Sequence, residues 1–363
     1  MRDRTFLSRT RLRAGAFVAI AVALVASAVA PAAAGGDNHY KQINLVSDQH
    51  GTAEKFDPNL VNPWGLSFGP NTPAWVVDAT PAVTTLYQGA NGTNPVSIVP
   101  LVARIPGDEP TGTVFNPTND FVVHAQGNSG PAPFLFVGHD GVVSGWSPAV
   151  PPLNRAHKGV TVPGAEYLGL ALAQTNHGNF LYAADFHNAR IDVIDHAFNK
   201  LNTPNAFVDP NLPAGYAPFN VQNLRGRIYV AYAKQDAAAQ DEVAGAGFGF
   251  VDMYTTEGTL IKRIASHGAL NAPWGLEIAP HNFGQFSDAL LVGNFGDGRI
   301  SAYDRLNGGF LGQLHDVNGH VLSINGLWAL KVGNGVIGKK TSVVFTAGTD
   351  DEAHGTFGLI ETP

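Results

Sequence analysis

Short apolar runs separated by turn residues fill this chain, and the clearest set lies between Asn271 and Leu314. NAPWGLEIAP carries a first run and ALLVGNF a second. A Gly-Asp-Gly turn then reverses the chain into RISAYD, where apolar and polar positions alternate, and GFLGQL follows. Alternation over a few residues between tight turns is the pattern of antiparallel strands, so this stretch predicts a four-stranded meander. The same order recurs about every 50 residues, a spacing that fits a propeller blade better than a shorter solenoid unit. The first run of each repeat centres on Gly65, Gly112, Gly169, Asn220, Gly275 and Gly326. The second ends near Asp78, His139, Asp185, Lys234, Asn294 and Thr349.

A four-stranded sheet of this kind cannot bury both faces alone, and repeats stacked in a closed ring solve that without leaving a free end. Six repeats predict an all-β, six-bladed propeller spanning residues 35–363 as one domain. The last repeat runs out after its third strand. The segment Tyr40 to Asp48, YKQINLVSD, precedes the first repeat and alternates as a strand does. It is the expected donor of the missing outer strand, joining the two ends of the domain and removing an exposed edge.

Ahead of that domain stands an Arg-rich start, MRDRTFLSRTRLR, then an apolar run from Ala14 to Ala30 and the small-residue site Ala32-Ala33-Ala34. This is the three-part grammar of an export signal, so residues 1–34 read as a cleaved leader and the protein as secreted or periplasmic. The chain has no Cys, so no disulfide staples the exported domain, and its length must supply the core instead. The formal net charge is −7 and the basic leader holds part of the positive charge, so the remainder is more acidic still. That argues against nucleic acid or an anionic membrane as partner. With 42 Gly and 24 Pro and no long amphipathic helical period, the composition suits many strands joined by tight turns.

The segments YAADFHNARIDVID (182–195) and VGNFGDGRISAYD (292–304) resemble NHL-type propeller repeats. Taken with NPWGL, YAPFNVQN, YAKQD, APWGL and FTAGTDDEAHG, they resemble a family of secreted bacterial six-bladed propellers of unassigned function. The resemblance spans about residues 40–360. It implies the fold and export, and it brings no catalytic residues with it.

In a propeller meander the start of the inner strand and the turn after the second strand share one face of the disc. That face therefore gathers Trp64, Phe219, Trp274 and Trp328 from inner strands. From the turns it gathers Asp78, His139, Asp140, Asp185, His187, Lys234, Asp236, Asn294, Asp297, Asp350, Asp351 and His354. Asp78, Asp185 and Asn294 equally suit an Asx role that holds each turn, and the Trp residues equally suit packing between blades. Two turns depart from the repeat. KQDAAAQDEVAGAG, from Lys234 to Gly247, is longer than its counterparts and is expected to overhang the channel. TDDEAHG, from Thr349 to Gly355, gathers three carboxylates and a His, a donor set for a hard or borderline cation as well as a solvated acidic turn. Gln222 and Glu277 fall at matching inner-strand positions and suit a buried pair or a site near the axis.

His-Glu-x-x-His and Gly-Lys-Ser/Thr patterns are missing, as is any thiol, so three common enzyme classes lack support. The sequence favours a secreted binding or interaction propeller that takes a small molecule, carbohydrate, polymer or protein at the channel mouth. The expected ligand site comprises Asp185, His187, Lys234, Asp236, Asn294, Asp350 and His354, with Trp64 and Trp274 as apolar walls. No cofactor is expected, although a divalent cation such as calcium is open, with Asp78, Asp350 and His354 as candidate ligands. The alternative is a metal-dependent hydrolase, lactonase- or esterase-like, or a lyase at the same mouth; calcium lactonases with six blades are its analogy of fold.

Overall fold

The computed structural model describes residues 37–363, so the expected leader, 1–34, lies outside the described residues. Six antiparallel sheets radiate from inner strands Pro63–Ser67, Pro110–Phe115, Tyr167–Thr175, Tyr216–Leu224, Pro273–Ile278 and Leu327–Val332. Each inner strand lies against the next and the last against the first, which closes a six-bladed propeller. Second strands are flanked by blades on both faces, so they read as unbroken apolar runs. Ala74–Asp78, Phe134–Gly138, Leu290–Asn294 and Val343–Ala347 are buried at every position. Outer strands face water, and Phe310–Gln313 has no buried position.

Two blades vary the plan. The third stops at Arg190–Asp195, and its outer place is held by a single bridge between Ile194 and Lys200. The second carries an extra hairpin, Val122–Ala125 with Asn128–Pro131, between its inner and second strands.

The sixth blade closes as the alternation at the N-terminal end predicts. Lys41–Ser47 pairs antiparallel with Thr356–Glu361, from Lys41 opposite Glu361 to Ser47 opposite Thr356. The short strand Lys55–Phe56 then adds in parallel outside it. Tyr40 is fully buried at the start of the seam and its hydroxyl donates to the Phe283 carbonyl at 2.9 Å.

Every blade has a register slip where its inner strand nears the axis. It falls between Pro63 and Leu66, Tyr167 and Leu170, Pro218 and Asn220, Pro273 and Gly275, and Leu327 and Leu330, and in the second blade opposite Phe136 and Gly138. A bulge kinks the strand and re-aims its side chains. It also brings neighbouring backbones close. A Cβ on Gly65 would lie 2.4 Å from the Thr111 carbonyl oxygen, and one on Gly275 would lie 2.8 Å from that of Trp328. Asn220 replaces glycine in the fourth blade, where its amide donates to the Trp274 carbonyl at 2.8 Å. In the sixth blade the matching residue is Ala329 and not Gly326, because the slip from Leu327 to Leu330 aligns with that from Pro63 to Leu66. Gly326 serves the preceding turn at φ 66°.

Candidate ligand site at the channel mouth

The residue just ahead of each bulge faces the axis, and four of these are aromatic. Trp64 and Trp328 stack with centroids 3.6 Å apart, and Phe295 stacks on Trp328 at 4.0 Å. Trp274 meets both edge-on, at 6.3 and 5.7 Å, and Phe219 meets Trp328 at 5.8 Å. The indole N–H of Trp274 donates across the ring to the Leu168 carbonyl at 3.1 Å, and that of Trp328 to Asn62 Oδ1 at 3.3 Å. These side chains plug the channel. Trp64 and Trp274, expected as walls of a pocket, are only 5% and 2% exposed and form a floor. Below them the axis keeps a cavity of about 10 Å³, lined by residues including Asn220, Gln222 and Lys331, with room for no more than a water.

Gln222 and Glu277 do not pair. Gln222 lines that axial cavity, while Glu277 accepts from the backbone N–H of Ile278 at 2.8 Å and of Val332 in the next blade at 3.2 Å. Burial pushes the Glu277 carboxyl up, and Lys331 opposes the shift.

Asp78, Asp185 and Asn294 are all fully buried at the ends of second strands. Asp78 accepts from Thr85 Oγ1 at 2.8 Å, its other oxygen has no partner, and burial drives its pKa well up. Asn294 donates to the Ala269 carbonyl at 2.8 Å and to Asp297 at 3.0 Å. Asp185 accepts from the Glu166 N–H at 3.1 Å and from the Asn188 amide at 2.9 Å, and it pairs with Arg190 at 2.9 Å. Asp185 and Asn294 therefore hold their turns, Asp78 ties its strand to the next through Thr85, and Asp185 also fixes the backbone of Glu166.

The expected site residues fall into separate groups, each bonded within itself. Asp236 accepts from the N–H groups of Ala238 and Gln240 at 3.1 and 2.9 Å, which fold the long loop on itself and hold the Asp236 carboxyl below its usual range. Gln235 donates to the Phe186 carbonyl at 2.6 Å and His187 Nδ1 donates to the Ala239 carbonyl at 3.1 Å, so the loop of the fourth blade is tied over the third. Lys234 lies above the Phe248 ring at 4.3 Å. On the seam side, His354 Nδ1 sits 2.7 Å from Asp48 Oδ2, and Gln49 donates to Asp350 at 3.4 Å.

This corrects the expected grouping of Asp78, Asp350 and His354. The seam strand delivers Asp48 to the sixth-blade turn, and His354 pairs with it, while Asp78 stays buried against Thr85. Among the described residues, no group of three His, Asp or Glu side chains is arranged to hold a metal ion.

The convergence at the mouth lies beside these groups, between the second, third and fourth blades. His139 Nδ1 stands 3.4 Å from Glu166 Oε1 and 3.7 Å from Glu109 Oε2, and the His139 ring meets Trp64 edge-on at 5.7 Å. Burial pushes the Glu166 carboxyl up to about 7, reinforced by the charges of Asp241, Asp185, Asp236 and Glu109. Burial pushes His139 down, and Glu109, Asp241, Asp108 and Asp140 pull it back. Glu109 and Glu166 were not singled out from the sequence, yet a signal exists. GDEPTG (107–112) and GAEYLG (164–169) place a Glu at the same step before consecutive inner strands, where the first blade has Asn62.

No protein-family model matches the chain. Over 325 residues it is 32% identical to uncharacterized protein R648 of Acanthamoeba polyphaga mimivirus, covering 87% of this chain and 78% of that one. Uncharacterized protein L690 of the same virus is 32% identical over 298 residues, covering 79% and 77%. These relatives are viral and lend no support to the bacterial origin that the motif resemblance implies. Among solved structures, an α-L-arabinanase of Penicillium chrysogenum bound to arabinobiose aligns with a TM-score of 0.53 at 12% identity, covering 88% of this chain and 98% of that one. A streptogramin B lyase aligns at 0.50 and 12% identity, covering 89% and 97%. Likeness at that identity carries the fold alone.

Proposed function

Since the chain belongs to one family with the mimivirus proteins R648 and L690, whose names assign no activity, we propose from its own surface that it is a ligand-binding propeller working at the channel mouth. The reading rests on one observation: His139, Glu109 and Glu166, from two blades, converge above the buried Trp64. Loops carried by a rigid ring are where recognition groups sit, and an aromatic floor beneath a few convergent polar groups is the usual anatomy of small-molecule recognition. The ligand is a small molecule or the end of a polymer, because the plugged axis admits nothing into the channel. Export completes the proposal, and the leader pattern of residues 1–34 supports it.

The enzymatic alternative keeps an acid–base form only. The metal version has no three-ligand set among the described residues to build on, whereas a Glu titrating near neutrality beside a His is a pairing that proton transfer uses.

Ligand-observed NMR of amines, sugars and short peptides against the wild type and a His139→Ala/Glu166→Ala variant tests the site. Compounds that bind the wild type and lose binding in the variant support it. Compounds that bind both equally place the site elsewhere.

A further inference from the structure

Resting on that mouth-face reading, we infer that the ligand presents a positively charged nitrogen, an ammonium or amidinium group, to the space between Glu109 and Glu166 beside His139. The geometry already shows what fits there. Carboxylate oxygens from two blades converge on a single ring nitrogen at 3.4 and 3.7 Å, beyond a tight hydrogen bond and close enough to share an N–H donor between them.

Apart from the His139 ring, the protein supplies no matching cation of its own. Among the described residues, no Lys or Arg pairs with Asp108, Glu109, Asp140 or Glu166. Arg190 is committed to Asp185 and Asp192, at 2.9 and 2.8 Å. Lys234 is held over Phe248. Charges of one sign in a half-buried place interact more strongly than in water, so a cation arriving there relieves a standing repulsion and an anion adds to it.

A second observation is independent of those carboxylates. Trp64 is 5% exposed, its indole N–H has no acceptor, and its ring touches the His139 ring at the same place. A buried donor left unpaired is costly, so a shift of the ring that opened the N–H to an oxygen of a ligand or its water would be favoured. Carboxylates pair by charge with an ammonium or amidinium group, the interaction that selects an organic cation over its neutral isostere.

The test is calorimetric titration of the mature domain at moderate salt with spermidine and a Lys-Lys-Lys peptide, with a neutral oligosaccharide and a tri-glutamate peptide beside them. Three proteins are compared: wild type, Glu109→Gln/Glu166→Gln, and a control, Glu54→Gln/Glu257→Gln, that removes the same charge from exposed places away from the mouth. The expected result is saturable binding of an amine probe that weakens about tenfold or more in the mouth variant, as a lost pair of charge-assisted contacts should, and is unchanged in the control. Equal weakening in both variants means diffuse attraction to an acidic protein and overturns the inference. Binding of the neutral oligosaccharide alone, lost on His139→Ala, overturns the charge class while leaving the mouth reading intact. No binding of any probe overturns the inference, and NMR shifts that never involve His139 overturn the mouth reading with it.

Discussion

Trp64 and Trp328 lie face to face, 3.6 Å between centroids and 22° between planes, so the first and sixth blades meet through their indoles at the top of the axis. Phe295 continues the stack on the far side of Trp328. Trp328 is fully buried and also touches Phe219 and Trp274, so it is the residue through which the plug is joined. Trp328→Ala should cost about 3–5 kcal/mol, the usual loss for a buried large aromatic. Chemical denaturation checks this, and an unchanged midpoint would mean that the plug contributes nothing to ring closure.

Closure at the rim gives a separate expectation. Removing residues 40–48 leaves Thr356–Glu361 as an open edge and should lower the melting temperature sharply and promote association. A gentler probe is Gly358→Val, because a Cβ there would sit 2.5 Å from the Ile43 carbonyl oxygen and 2.5 Å from the Phe345 ring. Overpacking of that kind costs about 1–3 kcal/mol. Hydrogen exchange should show the amides of 41–47 losing protection first.

Glu166 should leave a signature in stability against pH. Its pKa in the folded chain is raised from 4.5 to about 7, so the native state holds the proton more tightly than the unfolded chain does. Its contribution is full below pH 4.5 and is lost as pH rises through 7. Glu166→Gln should therefore flatten the fall in melting temperature across that window and be the more stable protein above it. Parallel curves for the two proteins would show that Glu166 titrates normally.

One carboxylate folds the tip of the long loop. Asp236→Ala removes the acceptor for the N–H groups of Ala238 and Gln240 and should cost about 1 kcal/mol locally, as loss of a cap does. The expected result is faster cleavage by protease within residues 237–242 with the global melting temperature nearly unchanged. If cleavage does not change, the ties from Gln235 and His187 suffice on their own.

Blade number, ring closure and the seam strand were legible in the sequence because second strands, covered on both sides, leave unbroken apolar runs, and because the last repeat lacks a strand that Tyr40 to Asp48 supplies. Other features depend on three dimensions. Gly326 imitates the bulge glycine but serves a left-handed turn, and residue type alone does not separate the two roles. His354 was expected beside Asp78 because blades six and one are neighbours, yet the seam strand brings Asp48 to His354 while Asp78 stays buried against Thr85. Glu109 and Glu166 share a step before their inner strands, but that His139 from a turn of the second blade meets them both is settled only in three dimensions. Asp185 was singled out for the ligand site, and its carboxylate is taken up by the main chain of Glu166, the Asn188 amide and Arg190.

The aromatic plug has a consequence for traffic through the molecule. Most propellers are drawn as rings around a hole, but a stopper of stacked indoles over a water-sized void makes this one a partition. No open path along the axis joins whatever docks above Trp64 to whatever touches the opposite side. A partner gripping the underside and a ligand held at the mouth could therefore be present together without competing, and one could sense the other only through movement of the blades themselves.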